Sequence, residues 1–196
     1  MKCKRFTALL MAAAVSIGAF SINAYAPAAY FESLGANAPV ITAQAASPSA
    51  AALAKAVRKA YEGGYLPDYK LSKDEIKTRY GVDSSLYSSA SVQVPMISAR
   101  VDEITIFKAK DSASKKKILE AVKQYQKKLK ADTMQYPSNL MRIQGSKVYQ
   151  KGKYVCFFMM GDISKSVEES GSDEAIIKAY QEQNKKAVNA VKNKLK

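Results

Sequence analysis

Histidine is absent from this 196-residue chain. That removes the commonest general base, the Ser-His-Asp and Cys-His arrangements, and the commonest zinc ligand. Cysteine is nearly absent. Cys3 lies in a basic N-terminal segment expected to leave with a signal peptide, and Cys156 then stands alone, so no internal disulfide and no thiolate metal site is expected. Within "YVCFFMM", Cys156 has the setting of a small buried hydrophobe rather than of a reactive thiol. No phosphate-cradling Gly-rich loop and no dinucleotide fingerprint occurs. Nothing in the chain calls for a cofactor or a metal, and none is expected. Arginine is also scarce, 5 residues against 26 lysines. Guanidinium suits bidentate phosphate recognition, whereas ammonium is a hydrated point charge. A lysine excess therefore fits diffuse attraction better than sequence reading. With no zinc finger, RNA-recognition signature or aromatic ladder among the basic residues, no nucleic-acid partner is expected.

What is present is a globular composition, 47% hydrophobic and 24% charged, on a chain long enough for one domain with a real core. Its first 26 residues predict export. "MKCKR" is basic, "FTALLMAAAVSIGAFSI" is an uncharged apolar run, and "NAYA" places small residues at Ala24 and Ala26. This is the layout of a signal peptide, and the run is slightly short for a membrane span of about 20 residues. A second A-x-A at Ala43 and Ala45 offers another cleavage point. No later run is long enough to span a membrane, so no span is expected after cleavage. Losing the three basic residues of the first 26 lowers the net charge from +14 to +11. The expected location is the extracellular face of the envelope or the medium. The expected divisions are a signal peptide over 1–26, an Ala/Pro-rich linker over 27–48 and one domain over 49–196.

Within that domain, Ser47-Pro48 predicts a helix start, and Gly63-Gly64 predicts its stop. "LSKDEI" carries a capping box, Ser72 with Glu75, and a hydrophobic staple, Leu71 with Ile76. That helix is expected to end at Gly81. "SVQV" and "EITIFKAK" predict strands. Asp111 predicts a cap for a helix to about Ala131, and "SKVYQKGKYVCFFMM" predicts two strands around a Lys-Gly turn. A last helix starts near Ser172, with Ile177, Tyr180, Val188, Val191 and Leu195 on one face. The order α-α-β-β-α-β-β-α predicts an α+β fold: a small antiparallel sheet of about four strands with helices packed on one face.

The stretches "YGVDSSLY", "VPMISARVDEITIFKAKD", "QYPSNL" and "VYQKGKYVCFFMMGD" occur in order. Over about residues 50 to 190 they resemble an exported bacterial family known as domain of unknown function 4358. Its members are often lipoproteins of Gram-positive bacteria related to clostridia. "DEITIFKAKD" is the most specific part of the likeness. The chain departs from that pattern in having no lipobox cysteine directly after its apolar run, so the lipid anchor is not carried over. The resemblance supports export and the domain limits, and it supplies no catalytic residues.

Two features are candidates for function. Asp102 and Glu103 are adjacent carboxylates at a strand entry. Neighbouring strand side chains point to opposite faces, so they cannot share one substrate as a glycosidase pair does without a bulge. The expectation is one solvated carboxylate and one bonded to a nearby loop or to Arg100, with a ligand-binding role as a weaker alternative. The second feature is a lysine face. Ile118, Val122, Tyr125 and Leu129 form an apolar stripe over 112–131, and at about 100° per residue Lys116, Lys123, Lys127 and Lys130 gather opposite it. Such a face is either solvated surface or a track for a polyanion. The favoured reading is a non-catalytic envelope or extracellular module, with an anionic cell-wall polymer, an anionic lipid surface or an envelope protein as partner. The alternative is an exported hydrolase using carboxylates near Asp102 and Glu103.

Overall fold

The computed structural model describes residues 47–97 and 99–196. The signal peptide expected over 1–26, and all but the last two residues of the linker expected over 27–48, lie outside the described residues. The chain order is α1 (Ala50–Tyr61), β1 (Tyr69–Lys70), α2 (Lys73–Tyr80), β2 (Tyr87–Val94), β3 (Glu103–Ala109), α3 (Ser112–Ala131), α4 (Pro137–Gln144), β4 (Lys147–Lys151), β5 (Tyr154–Met159), α5 (Lys165–Ser170) and α6 (Asp173–Lys194).

Local chemistry sets most of the helix ends. The Ser72 hydroxyl accepts from the Glu75 amide, and the Glu75 carboxylate accepts from the Ser72 amide, so the capping box opens α2. Gly81 closes it at φ 69°, left-handed backbone that glycine adopts without strain. Leu71 and Ile76 are both buried, as a staple requires. Asp111 caps α3 and Ser172 caps α6. One expected cap is displaced. Ser49, not Ser47, caps α1 through the Ala52 amide. Residues 47 and 48 are held against the sheet instead. Their carbonyls accept from the Lys108 ammonium at 2.6 Å and from the Tyr154 hydroxyl at 2.5 Å.

The sheet has five strands in the order β1-β2-β3-β5-β4, antiparallel at every pairing. The α+β class is as expected, and the fifth strand is the two-residue edge strand β1, too short to carry a periodic signal. The expectation of helices on one face is corrected: they pack on both. On one side α1 and α6 cover Ile104, Ile106, Cys156 and Phe158 with Leu53, Val57, Val188 and Val191. On the other, α2 and α3 cover Phe107, Val155, Phe157 and Met159 with Ile76, Tyr80, Ile118 and Val122. The physical reason is written in β5, "YVCFFM", whose six residues are all buried. A continuous apolar run is the mark of a strand covered on both faces. Each phenylalanine so buried contributes about 1.5–3 kcal/mol. α4 adds Ile143 to the second cluster and packs on α6. Among the described residues no helix is long and apolar enough to cross a membrane.

Candidate functional site

Asp102 and Glu103 enter β3 at its join with β5, where Glu103 pairs with Met159. Both are buried, at 2% and 0% exposure. The expectation of one solvated carboxylate is therefore corrected; the divergence of their side chains stands, and each is the centre of its own network.

Glu103 points toward α2 and α3. Arg79 donates to its Oε2 from Nη2 at 2.7 Å and from Nε at 3.2 Å, and the Tyr125 hydroxyl donates to the same oxygen at 2.8 Å. Its Oε1 accepts from the Tyr80 hydroxyl and, at 3.0 Å, from Thr105 Oγ1. The Tyr80 and Thr105 hydroxyls are themselves 2.8 Å apart, so two hydroxyl protons are shared over the three edges of a triangle. Burial, then the Glu103 carboxylate, pushes the Tyr80 and Tyr125 phenols well above their ordinary value, which keeps both as neutral donors. Arg79 also lies over the Tyr125 ring, 5.3 Å from its centroid.

Asp102 turns the other way, toward α4 and α6. It accepts from Arg100 Nε at 2.9 Å and from Arg142 Nη1 at 3.1 Å. Asp162 accepts from the same two guanidiniums at 2.8 and 3.3 Å. Burial opposes the Asp162 charge, but Arg100 and Arg142 outweigh it and hold the carboxyl below the usual range. Arg142 also donates to the Gly161 carbonyl and the Tyr180 hydroxyl and sits 4.6 Å from the Tyr180 ring centroid; its Nε is buried with no partner among the described residues. Nearby, the fully buried Asn184 accepts from the Met160 amide and donates to the Gly145 and Tyr180 carbonyls, joining β5, α4 and α6. Gly145 is required there, since a Cβ would meet Tyr180 Cβ at 2.6 Å.

These arrangements neutralise charge and fix helices to the sheet. The two clefts that border them, one lined by Arg79 and the other by Asp162, include neither Asp102 nor Glu103. Cys156 is fully buried, and burial pushes its thiol far above the ordinary range. Among the described residues no group of three His, Cys, Asp or Glu is placed to hold a metal.

The lysine face divides. Lys116, Lys123 and Lys127 are exposed along α3, whereas Lys130 is half-buried and lines a cleft with Gln126, Gln144, Lys147 and Lys185. Exposed apolar side chains gather on two loops, Met96 and Ile97 before β3, and Met134 and Tyr136 before α4. The Asn139 side chain, in the first turn of α4, donates to the Ala99 carbonyl and ties the loop before β3 to that helix. Sequence reasoning missed Arg79, Tyr80 and Arg142 as partners of the acids. A usable signal was the rarity of arginine, because a lysine-rich chain that keeps an arginine often needs its forked geometry.

A family model described as domain of unknown function (DUF4358) matches residues 61–160. The matched segment contains Arg79, Tyr80, Asp102, Glu103, Tyr125 and Arg142 and excludes α6. No curated protein and no solved structure matches.

Proposed function

The chain belongs to the family described as domain of unknown function 4358, and from that premise we propose that it is a non-catalytic binding module of the cell envelope or extracellular space, attracted to anionic polymers or an anionic membrane surface. The observation that carries this reading is the sorting of its charges. Asp102 and Glu103 are buried against arginines, while Lys116, Lys123 and Lys127 are exposed along α3 and form no ion pair among the described residues. The same sorting argues against the hydrolase alternative. An acid that works on a substrate must reach it, and these two are spent on internal hydrogen bonds. The N-terminal basic, apolar and A-x-A pattern supports export. Diffuse attraction by lysines predicts binding that weakens steeply with salt.

The test is to pellet the purified chain with cell-wall sacculi, with and without their teichoic acid, at low and physiological salt. Pelleting that needs teichoic acid and survives physiological salt is expected. Equal pelleting after Lys116, Lys123, Lys127 and Lys130 are all changed to Gln refutes the helix assignment. An envelope protein partner is the second reading, favoured by the exposed Met96, Ile97, Met134 and Tyr136. A photo-crosslinker at position 134 then yields one discrete adduct in envelope extracts, and one at position 55 yields none. A smear from both positions counts against it.

A further inference from the structure

We propose that the cleft between the C-terminal half of α3, the start of β4 and the middle of α6 binds a phosphate group carried on a polyol. The proposal rests on the reading of the chain as an anion-binding module and locates one built site within it. The cleft, of about 380 Å³, is lined by three lysines from three elements: Lys130 of α3, Lys147 of β4 and Lys185 of α6. No aspartate or glutamate lines it. Lys185 pairs with Glu182 one turn back on its own helix, but among the described residues neither Lys130 nor Lys147 has a carboxylate partner. Lys130 lies in the last turn of α3, where the helix dipole favours a cation. That accounts for Lys130, as Glu182 does for Lys185, and leaves Lys147 without a balancing charge among the described residues. Ammonium groups that line one cleft repel one another, as Lys147 does Lys130, and a bound anion relieves that repulsion. Burial, then the like charge of Lys147, holds Lys130 below its ordinary value.

The rest of the lining selects among anions. It consists chiefly of the amides of Gln126, Gln144 and Gln181 and the Ser146 hydroxyl. The Gln126 amide nitrogen donates to the Ser146 carbonyl and hydroxyl, and that of Gln144 donates to the Lys130 carbonyl. Those bonds fix both side chains and leave their oxygens as acceptors. Lysines supply phosphate with donors from several directions, and amide oxygens accept from hydroxyls. The volume lies at the small end of ligand sites, roughly 300–1,000 Å³. It suits a short polyol phosphate, either a soluble molecule or one repeat of a polyol-phosphate polymer.

The experiment is a heteronuclear NMR titration of the full chain with sn-glycerol 3-phosphate, inorganic phosphate, glycerol and a poly(glycerol phosphate). Saturable shifts confined to Gln126, Lys130, Gln144, Ser146, Lys147, Gln181 and Lys185 are expected with glycerol 3-phosphate. Binding of inorganic phosphate should be at least fivefold weaker, and glycerol should not bind. Lys147→Gln with Lys185→Gln should weaken glycerol 3-phosphate binding at least tenfold. The charge-matched control, Lys55→Gln with Lys59→Gln, should change it less than twofold. Thermal melts confirm that each variant folds, and Gln181→Ala, which leaves every charge in place, should weaken glycerol 3-phosphate more than inorganic phosphate. Polymer binding at the same residues identifies a wall-type source, and soluble ligand alone identifies a metabolite; both support the site. Equal loss in the two lysine pairs, or no saturable shift at the cleft, overturns it. If pelleting with sacculi persists in that case, the site fails while the broader anion-binding reading survives.

Discussion

Arg79 looks like a surface residue, with 38% of its side chain exposed, and an exposed side chain is ordinarily replaced at a cost within about 0.5 kcal/mol. The structure predicts otherwise. Arg79 is the guanidinium that touches Glu103, whose side chain is fully buried. Arg79→Gln leaves that carboxylate with hydroxyl donors from Tyr80, Thr105 and Tyr125 and no counter-charge. Breaking a buried pair from one side costs about 3–5 kcal/mol, a large part of a typical stability of about 5–15 kcal/mol. Glu103→Gln should cost less, because the freed Arg79 reaches water while the new amide still accepts from Tyr80 or Thr105. The double variant should then be more stable than Arg79→Gln alone, with a coupling of about 1–3 kcal/mol. Urea denaturation of the four proteins, followed by tyrosine fluorescence and circular dichroism, reads all three values. Loss of under about 1 kcal/mol in Arg79→Gln, or strict additivity in the cycle, would refute the buried-hub argument.

Three further outcomes follow from the same contacts. Asp162 has a folded pKa below its ordinary value, so its share of stability is present above the unfolded value of about 3.9 and is lost as pH falls through the folded one; Asp162→Asn should flatten the acid limb of the stability profile below about pH 4, and an unchanged limb counts against the pairing. Cys156 should resist iodoacetamide in the native chain and react fully in urea, as read by peptide mapping, and rapid native labelling would contradict its burial. Asn184→Ala should cost about 2–3 kcal/mol, because the Met160 amide and the Gly145 carbonyl lose their partner inside the core, with denaturant midpoints as the readout.

The parts of the fold legible in the sequence are those decided within a few residues. The capping box of Ser72 and Glu75, the caps at Asp111 and Ser172 and the stop at Gly81 are local exchanges of hydrogen bonds, and all occur. The β4–β5 hairpin turns through Gly152 at φ 52°, as the Lys-Gly pair implied. What escaped is what only packing decides. α4 spans two turns with no side-chain cap, and β1 has two residues. The second helical layer was signalled by the unbroken apolar run of β5, but such a run does not say which helix covers which face.

The candidate site failed to show in the sequence for a related reason. The strand sends Asp102 and Glu103 to opposite sides, as alternation along a strand predicts, but most of the side chains that meet them there come from 22 to 40 residues away. No periodicity carries information over such separations; residue type does. Of the four arginines among the described residues, Arg79, Arg100 and Arg142 lie in the two networks, and Arg58 stacks over Tyr65, 4.7 Å from the ring centroid. Lysine is left to the surface and to the cleft beside Lys147. The division follows from the chemistry of the two cations. A planar fork binds a carboxylate in a fixed geometry and tolerates partial burial, whereas an ammonium holds its water and is better placed where a mobile anion can reach it. Among the described residues arginine and lysine therefore mark two tasks, Arg79, Arg100 and Arg142 holding the sheet to its helices and the lysines presenting charge outward. An Arg79→Lys variant separates them: it keeps the charge beside Glu103, loses the second donor, and should recover only part of the stability that Arg79→Gln gives up. Full recovery would mean that charge alone, without the fork, sustains the network.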